Sequence, residues 1–143
     1  MRRSWLALLL LLGACTGPVR STGVYESKAG VTAETVASAV ETARLAVQAA
    51  QDGDAYGRYL TQVLAEASED ADAAQGTFEG IQPPDHRADE LRDQLDELVG
   101  QATDTLTELR TLARRGRFAE LVTAAAPLAE VAGKLPAFAE AHA

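Results

Sequence analysis

The feature that most constrains the fold of this chain is a spacing of three and four between apolar residues, which recurs in four segments. That spacing is typical of one buried face of an α-helix. The apolar positions of the third and strongest segment are Leu91, Leu95, Leu98, Ala102, Leu106, Leu109 and Ala113. The other segments cover residues 33–50, 56–81 and 118–138. Because none of them alternates with the period of two that marks a strand, the pattern predicts four amphipathic helices.

Three short breaks separate these segments, at residues 52–54, 82–85 and 115–117. The first and third contain glycine and the second contains two prolines, which are residues that end helices. Gly116 is placed where a helix C-terminus commonly carries glycine. Short connections favour antiparallel neighbours. The sequence therefore predicts an all-α domain over residues 32–143, an antiparallel up-down-up-down four-helix bundle.

The fourth segment contains two prolines, Pro127 and Pro136, inside an otherwise regular pattern. Each removes a backbone hydrogen bond and clashes with the preceding turn, at a cost of about 3 kcal/mol in a helix interior. We expect a kink near residues 121–126. It can be interpreted as a hinge or an opening in the bundle, or simply as a helix that bends around the core.

The N-terminus has the parts of a secretory signal in order. Arg2 and Arg3 supply positive charge, residues 5–12 form an apolar stretch, and small residues precede Cys15. The apolar stretch is shorter than the roughly 20 residues that a membrane-spanning helix needs. These features predict an exported protein without a transmembrane anchor at this end.

The residues Leu12, Gly13, Ala14 and Cys15 resemble the lipobox of bacterial lipoproteins. The resemblance implies that the Cys15 thiol takes a diacylglyceryl group and that the chain is cut just before it, with or without a further acyl chain on the new amino group. The alternative is an ordinary signal peptide cut elsewhere. Cys15 is the only cysteine, so it cannot form an intramolecular disulfide, and lipidation accounts for a thiol in an exported chain.

Processing at this site defines three regions: a signal peptide (1–14), the lipidated cysteine with a flexible tether (15–31), and the bundle (32–143). The tether prediction rests on a composition rich in Gly, Ser and Thr. Two acyl chains would give stable anchoring, which one chain does not. Loss of Arg2 and Arg3 changes the formal net charge from −8 to −10, which disfavours nucleic acid as a partner.

Residues with catalytic or ligand-binding potential are few. His86 lies beside Asp85, Asp89 and Glu90, but one histidine among carboxylates is a common surface composition. Paired Glu-x-x-His motifs of di-iron bundles are absent, and one cysteine cannot attach a c-type haem. We therefore predict no catalytic residue, no cofactor and no metal site, and we expect the protein not to be an enzyme.

The charge pattern has one local anomaly, a group of arginines around a tight turn in an acidic chain: Arg110, Arg114, Arg115 and Arg117. Cations at a helix C-terminus complement the helix dipole, which is one interpretation. The other is a docking patch for an acidic partner. We take Arg114, Arg115 and Arg117 as the candidate partner-binding residues. In an up-down bundle this turn and residues 52–54 share the end away from the tether.

Together these features predict a lipoprotein held on the outer face of a bacterial membrane by lipid on Cys15. Its expected role is that of a non-catalytic helical interaction module at the cell envelope, binding an envelope protein or another surface component. The alternative is a small-ligand carrier or an enzyme with a pocket between the helices. An apolar pocket lined by Tyr56, Phe78, Phe118 or Phe138 would favour that alternative.

Overall fold

The computed structural model describes residues 21–53 and 55–143, and this part of the chain is helical without a strand. The predicted all-α class is confirmed. The signal peptide and Cys15 lie outside the described residues. Five α-helices follow in order, with a 3-10 turn at Phe118–Glu120 before the fourth: α1 (Thr22–Gln51), α2 (Gly57–Glu79), α3 (His86–Arg114), α4 (Leu121–Ala124) and α5 (Leu128–Ala141).

The first helix starts ten residues earlier than the sequence predicts. Ser21 caps it, since its hydroxyl oxygen accepts a hydrogen bond from the Val24 N–H at 3.4 Å. Tyr25 and Ala29 are fully buried and extend the apolar face backward from Ala33. The prediction of a flexible tether over residues 15–31 is therefore wrong from Thr22 onward. Burial of Tyr25 outweighs the weak helix preference of a Gly- and Ser-rich composition, because helices in proteins are stabilised mainly by tertiary packing.

The core is built almost entirely from Leu, Val and Ala side chains of all the α-helices, with Tyr25 and Phe78 as its largest members. The predicted apolar faces mostly coincide with the buried positions. Tyr56 and Leu98 are among the positions that depart from the prediction. Tyr56 is 86% exposed because it precedes the first residue of α2, and in α3 Val99 is buried where Leu98 was expected. The second difference arises because a helix has about 3.6 residues per turn, whereas alternating steps of three and four average about 3.5, so the buried face shifts gradually along the helix.

The start of α1 lies beside the start of α3 and the end of α5. The Thr22 hydroxyl donates a hydrogen bond to the Asp85 carboxylate, which caps α3 through the Ala88 N–H at 3.0 Å. Gly30 lies against the His142 carbonyl, so closely that a Cβ atom at position 30 would be 2.8 Å from that oxygen. We call this end of the molecule the proximal end.

The opposite end, which we call the distal end, brings together the start of α2 and the end of α3. The Thr61 hydroxyl lies 3.4 Å from the Ala113 carbonyl oxygen, to which it donates a hydrogen bond. A Cβ atom at Gly57 would lie 2.9 Å from the ring of Phe118. The first residues of α2 are thus packed directly against the segment that follows α3.

The predicted kink is confirmed. The segments Phe118–Ala124 and Leu128–Ala141 are bent by 52° relative to each other, and Pro127 immediately precedes α5. Pro136 lies inside α5, which continues through it. No single helix among the described residues is long and apolar enough to cross a membrane, although this bent pair has the length and composition when its two parts are taken together.

Candidate functional site

The arginine turn begins where α3 ends in a backbone motif that requires Gly116. The Arg117 N–H donates to the Leu112 carbonyl at 2.9 Å and the Gly116 N–H donates to the Ala113 carbonyl at 3.0 Å. These two bonds form the Schellman pattern, in which the residue after the helix adopts a left-handed conformation. Gly116 has φ 69°, as that position demands. Its predicted role at the end of α3 is confirmed.

The motif separates the three candidate arginines into two groups. Arg114 ends α3, Arg115 caps it, and both side chains are exposed. Within residues 21–53 and 55–143, neither side chain forms an ion pair. Arg117 instead donates two hydrogen bonds to the Glu120 carboxylate. Its Nε lies 2.6 Å from Oε1 and its Nη2 lies 2.5 Å from Oε2. Among the described residues, Arg114 and Arg115 are therefore the arginines of the turn that form no ion pair.

Exposed tyrosines lie next to this turn. Tyr56 is 86% exposed and Tyr59 is 57% exposed, and both belong to the start of α2, whose Gly57 contacts Phe118. Arg58, between them, is also exposed. We call the group of Tyr56, Arg58, Arg114, Arg115 and Arg117 the arginine end of the molecule. It combines positive charge with accessible aromatic surface in a chain of net charge −8.

Arg110, the fourth arginine noted in the sequence, has a different environment. It is half-buried one turn before the end of α3, and its Nη2 donates to Glu69 of α2 at 3.1 Å. This pair joins α2 to α3 along their length. Arg110 therefore contributes to the packing of α2 against α3 and is not part of the arginine end.

The four aromatic residues that would favour an internal pocket do not line one together. Phe78 is buried in the core and Tyr56 is exposed. Phe118 borders a groove of about 370 Å³ between α1, α2 and the residues before the kink, whereas Phe138 borders another groove between α3 and α5. The kink therefore accompanies a shallow groove at Phe118 and not a cavity shared by these rings.

A cluster around Arg92 at the proximal end is not evident in the sequence. Arg92 of α3 donates from Nε to the Tyr25 hydroxyl at 3.1 Å and from Nη2 to the carbonyl oxygens of Glu79 at 3.0 Å and Ile81 at 2.5 Å. Its guanidinium also lies 5.8 Å from the centre of the Phe78 ring. One side chain thus satisfies carbonyl groups at the end of α2 and fixes the start of α1.

Burial and hydrogen bonding change the acidity of groups at the proximal end. Burial raises the pKa of the Tyr25 hydroxyl above its ordinary value, against the opposing effect of Arg92. Burial likewise raises the pKa of Asp96, one turn after Arg92. The hydrogen bond from Thr22 lowers the pKa of Asp85, and the Ala88 N–H adds to the shift. The cap of α3 is therefore an ionised carboxylate at neutral pH.

The described residues contain no group of three or more His, Cys, Asp or Glu side chains placed to hold a metal ion. His86 is almost fully exposed, with Nδ1 3.9 Å from the Asp89 carboxylate. Comparison with protein-family models, curated proteins and solved structures finds no match to the chain. The arginine end and the residues around Cys15 are therefore the features of this chain that point to a function.

Proposed function

We propose that this protein is a lipoprotein on the outer face of a bacterial membrane, anchored by acyl chains on Cys15 once residues 1–14 are removed. The order of charged, apolar and small residues before the single cysteine supports the proposal. Helix α1 begins at Thr22, so only six residues separate Cys15 from the folded domain. An extended chain of that length reaches about 20 Å, which keeps the domain close to the bilayer.

The proposed architecture is an antiparallel up-down-up-down bundle in which α4 and α5 together form a kinked fourth helix. The bond from Thr22 to Asp85 and the contact of Gly30 with His142 support a proximal end shared by both termini of the described chain. The contact of Gly57 with Phe118 supports the opposite end. In this arrangement the arginine end points away from the membrane.

The proposed activity is binding of an acidic envelope protein or another anionic surface component at the arginine end. The observation that carries the proposal is the exposure of Arg114 and Arg115, which have no ion-pair partner among the described side chains. The exposed Tyr56 directly precedes Gly57, which contacts Phe118 just after the turn. Arginine and tyrosine are enriched at the energetic centres of protein interfaces. Arginine stays protonated in proteins, so these residues suit recognition of anions and not acid–base catalysis.

Capture of a partner from detergent extracts of the bacterial envelope tests the proposal. The bait is the lipidated wild-type protein, and the variant is Arg114→Glu, Arg115→Glu and Arg117→Glu combined. We expect the variant to lose the captured component, because the change reverses the charge at the centre of the surface. Circular dichroism should show unchanged helicity, since all three side chains are exposed.

A matched control changes the same amount of charge elsewhere. Arg44, Arg87 and Lys134 are exposed, are outside the arginine end and form ion pairs with carboxylates on the surface. Their combined change to Glu should leave capture intact. Capture that survives the arginine-end variant, or that is lost equally in the control, would contradict binding at this surface.

A further inference from the structure

Two large apolar side chains at the proximal end are exposed on the same face of α1. Val24 is 50% exposed and Val31 is 59% exposed, and residues seven apart lie on one side of a helix. Lys28 lies between them and is exposed. The next positions on this face are Thr35 and Ser38, which are polar. Polar residues therefore separate these two valines from Leu45, the next exposed large apolar side chain on this face, which lies near the other end of α1.

An apolar groove continues this surface from α1 to α5. It has a volume of about 510 Å³, and its walls include Val31, Ala37, Pro136 and Ala139. The groove lies where the end of α5 comes close to α1 at Gly30, which has no side chain to keep the helices apart. We call Val24, Val31, Pro136 and Ala139 the proximal apolar surface.

The position of Cys15 places this surface within reach of a bilayer. The six residues between Cys15 and Thr22 extend to about 20 Å at most. Val31 is nine residues further along α1, or about 14 Å at the helical rise of 1.5 Å per residue. A tilt of the domain on so short a connection can therefore bring Val24 and Val31 to the level of the lipid head groups.

We propose that the proximal apolar surface rests on the outer leaflet of the bilayer around the lipid anchor, and this inference depends on the proposed acylation of Cys15. The Lys28 side chain can place its hydrocarbon part against the interface while its ammonium group stays in water. Glu34 and Glu140 border the groove and limit the depth of contact. Because these carboxylates and the net negative charge repel anionic lipids, the fitting partner is a zwitterionic phospholipid surface.

The test uses the full-length precursor, processed and lipidated in cells, with one added cysteine. Since Cys15 is the only native cysteine and is acylated in the proposed mature protein, Val31→Cys supplies the single thiol for a fluorescent label. Leu45→Cys is the matched control, because Leu45 is on the same helix and is exposed to a similar extent, 57% against 59%. Each labelled protein is placed in phosphatidylcholine vesicles that contain a lipid with a nitroxide quencher near its head group.

We expect several-fold stronger quenching of the label at position 31 than of the label at position 45. Equal quenching at the two positions, or stronger quenching at 45, in protein whose mass includes the acyl chains would overturn the membrane contact and leave the proposed anchoring intact. A mass without acyl chains would overturn the anchoring and this inference together.

Discussion

Tyr25 of α1 and Arg92 of α3 contact each other and the end of α2, and so connect three helices. The tyrosine ring is buried against Phe78 at a centroid distance of 5.1 Å, and its hydroxyl accepts a hydrogen bond from Arg92. The same guanidinium donates hydrogen bonds to two backbone carbonyl groups, that of Glu79 at the end of α2 and that of Ile81 just after it. The proximal end therefore depends on a residue that the sequence pattern assigned to a tether.

Replacing this tyrosine tests that dependence. We expect Tyr25→Ala to lower the free energy of unfolding by about 3 kcal/mol or more, because it empties a buried aromatic site. The control is Tyr59→Ala, which removes a ring that is 57% exposed and should change stability by about 0.5 kcal/mol or less. Urea denaturation followed by circular dichroism measures both, and similar losses in the two variants would contradict the burial of Tyr25.

The cap at Asp85 gives the stability a defined dependence on pH. Hydrogen bonds from Thr22 and from the Ala88 N–H lower the pKa of Asp85 in the folded state. The ionised carboxylate therefore stabilises the fold above the ordinary pKa of 3.8. This contribution is lost as the pH falls through the lower pKa of the folded state. We expect Asp85→Ala to be less stable than the wild type at neutral pH, with a difference that shrinks below pH 3.8. Thermal unfolding across this range measures it, and a difference independent of pH would contradict an ionised cap.

At the scale of elements, the contact between α1 and α5 depends on the absence of a side chain at Gly30. Alanine is favoured over glycine by about 1 kcal/mol in a helix, so Gly30→Ala should stabilise α1 by itself. Its Cβ atom would, however, lie 2.8 Å from the backbone oxygen of His142, which is too close. We expect a net loss of stability of about 1 kcal/mol and faster hydrogen exchange at the end of α5, as that helix is displaced.

Gly23 provides the comparison within the same helix. A Cβ atom there meets nothing within 4 Å, so Gly23→Ala should keep or raise the melting temperature. If Gly30→Ala proves as stable as Gly23→Ala, the close approach of α5 to α1 is not as described.

The elements also show what periodicity can and cannot reveal. The apolar spacing predicted the all-α class, the prolines predicted the kink before Pro127, and the break at residues 115–117 predicted the glycine that ends α3. The four predicted helices are five in the structure, because the last segment divides at Pro127. It could also have revealed the early start of α1, because Tyr25 and Ala29 continue the spacing of Ala33. The composition predicted a tether there instead, because Gly, Ser and Thr have weak helix preference. The residues are helical because the tertiary contacts of the buried Tyr25 stabilise the start of α1.

The candidate site was partly accessible to sequence reasoning. The pairing of Arg117 with Glu120 was not predicted, although a separation of three residues allows it, because side chains at that spacing meet on a helical turn. The apolar spacing placed Tyr56 on the buried face of α2, whereas Tyr56 precedes the helix and is exposed. The contacts of Arg92 with backbone carbonyls could not be anticipated, because they arise from the packing of distant segments and leave no spacing in the sequence.

At the scale of the whole molecule, the two ends have different surfaces and different proposed roles. The proximal end carries exposed valines and follows Cys15 by a short connection, whereas the distal end carries arginines and exposed tyrosines. The helices between them are about 35 to 45 Å long at 1.5 Å per residue. In our proposal, this length separates the membrane-facing surface from the partner-facing one, and the condition is that Cys15 is the anchor.

The intact mass of the protein extracted from bacterial membranes tests that condition most directly. The account predicts a chain that begins at Cys15, without residues 1–14, and that carries the added mass of a diacylglyceryl group, with or without a further acyl chain on the amino group. A protein recovered in the soluble fraction, cut at another position and with an unmodified Cys15 thiol, would contradict it.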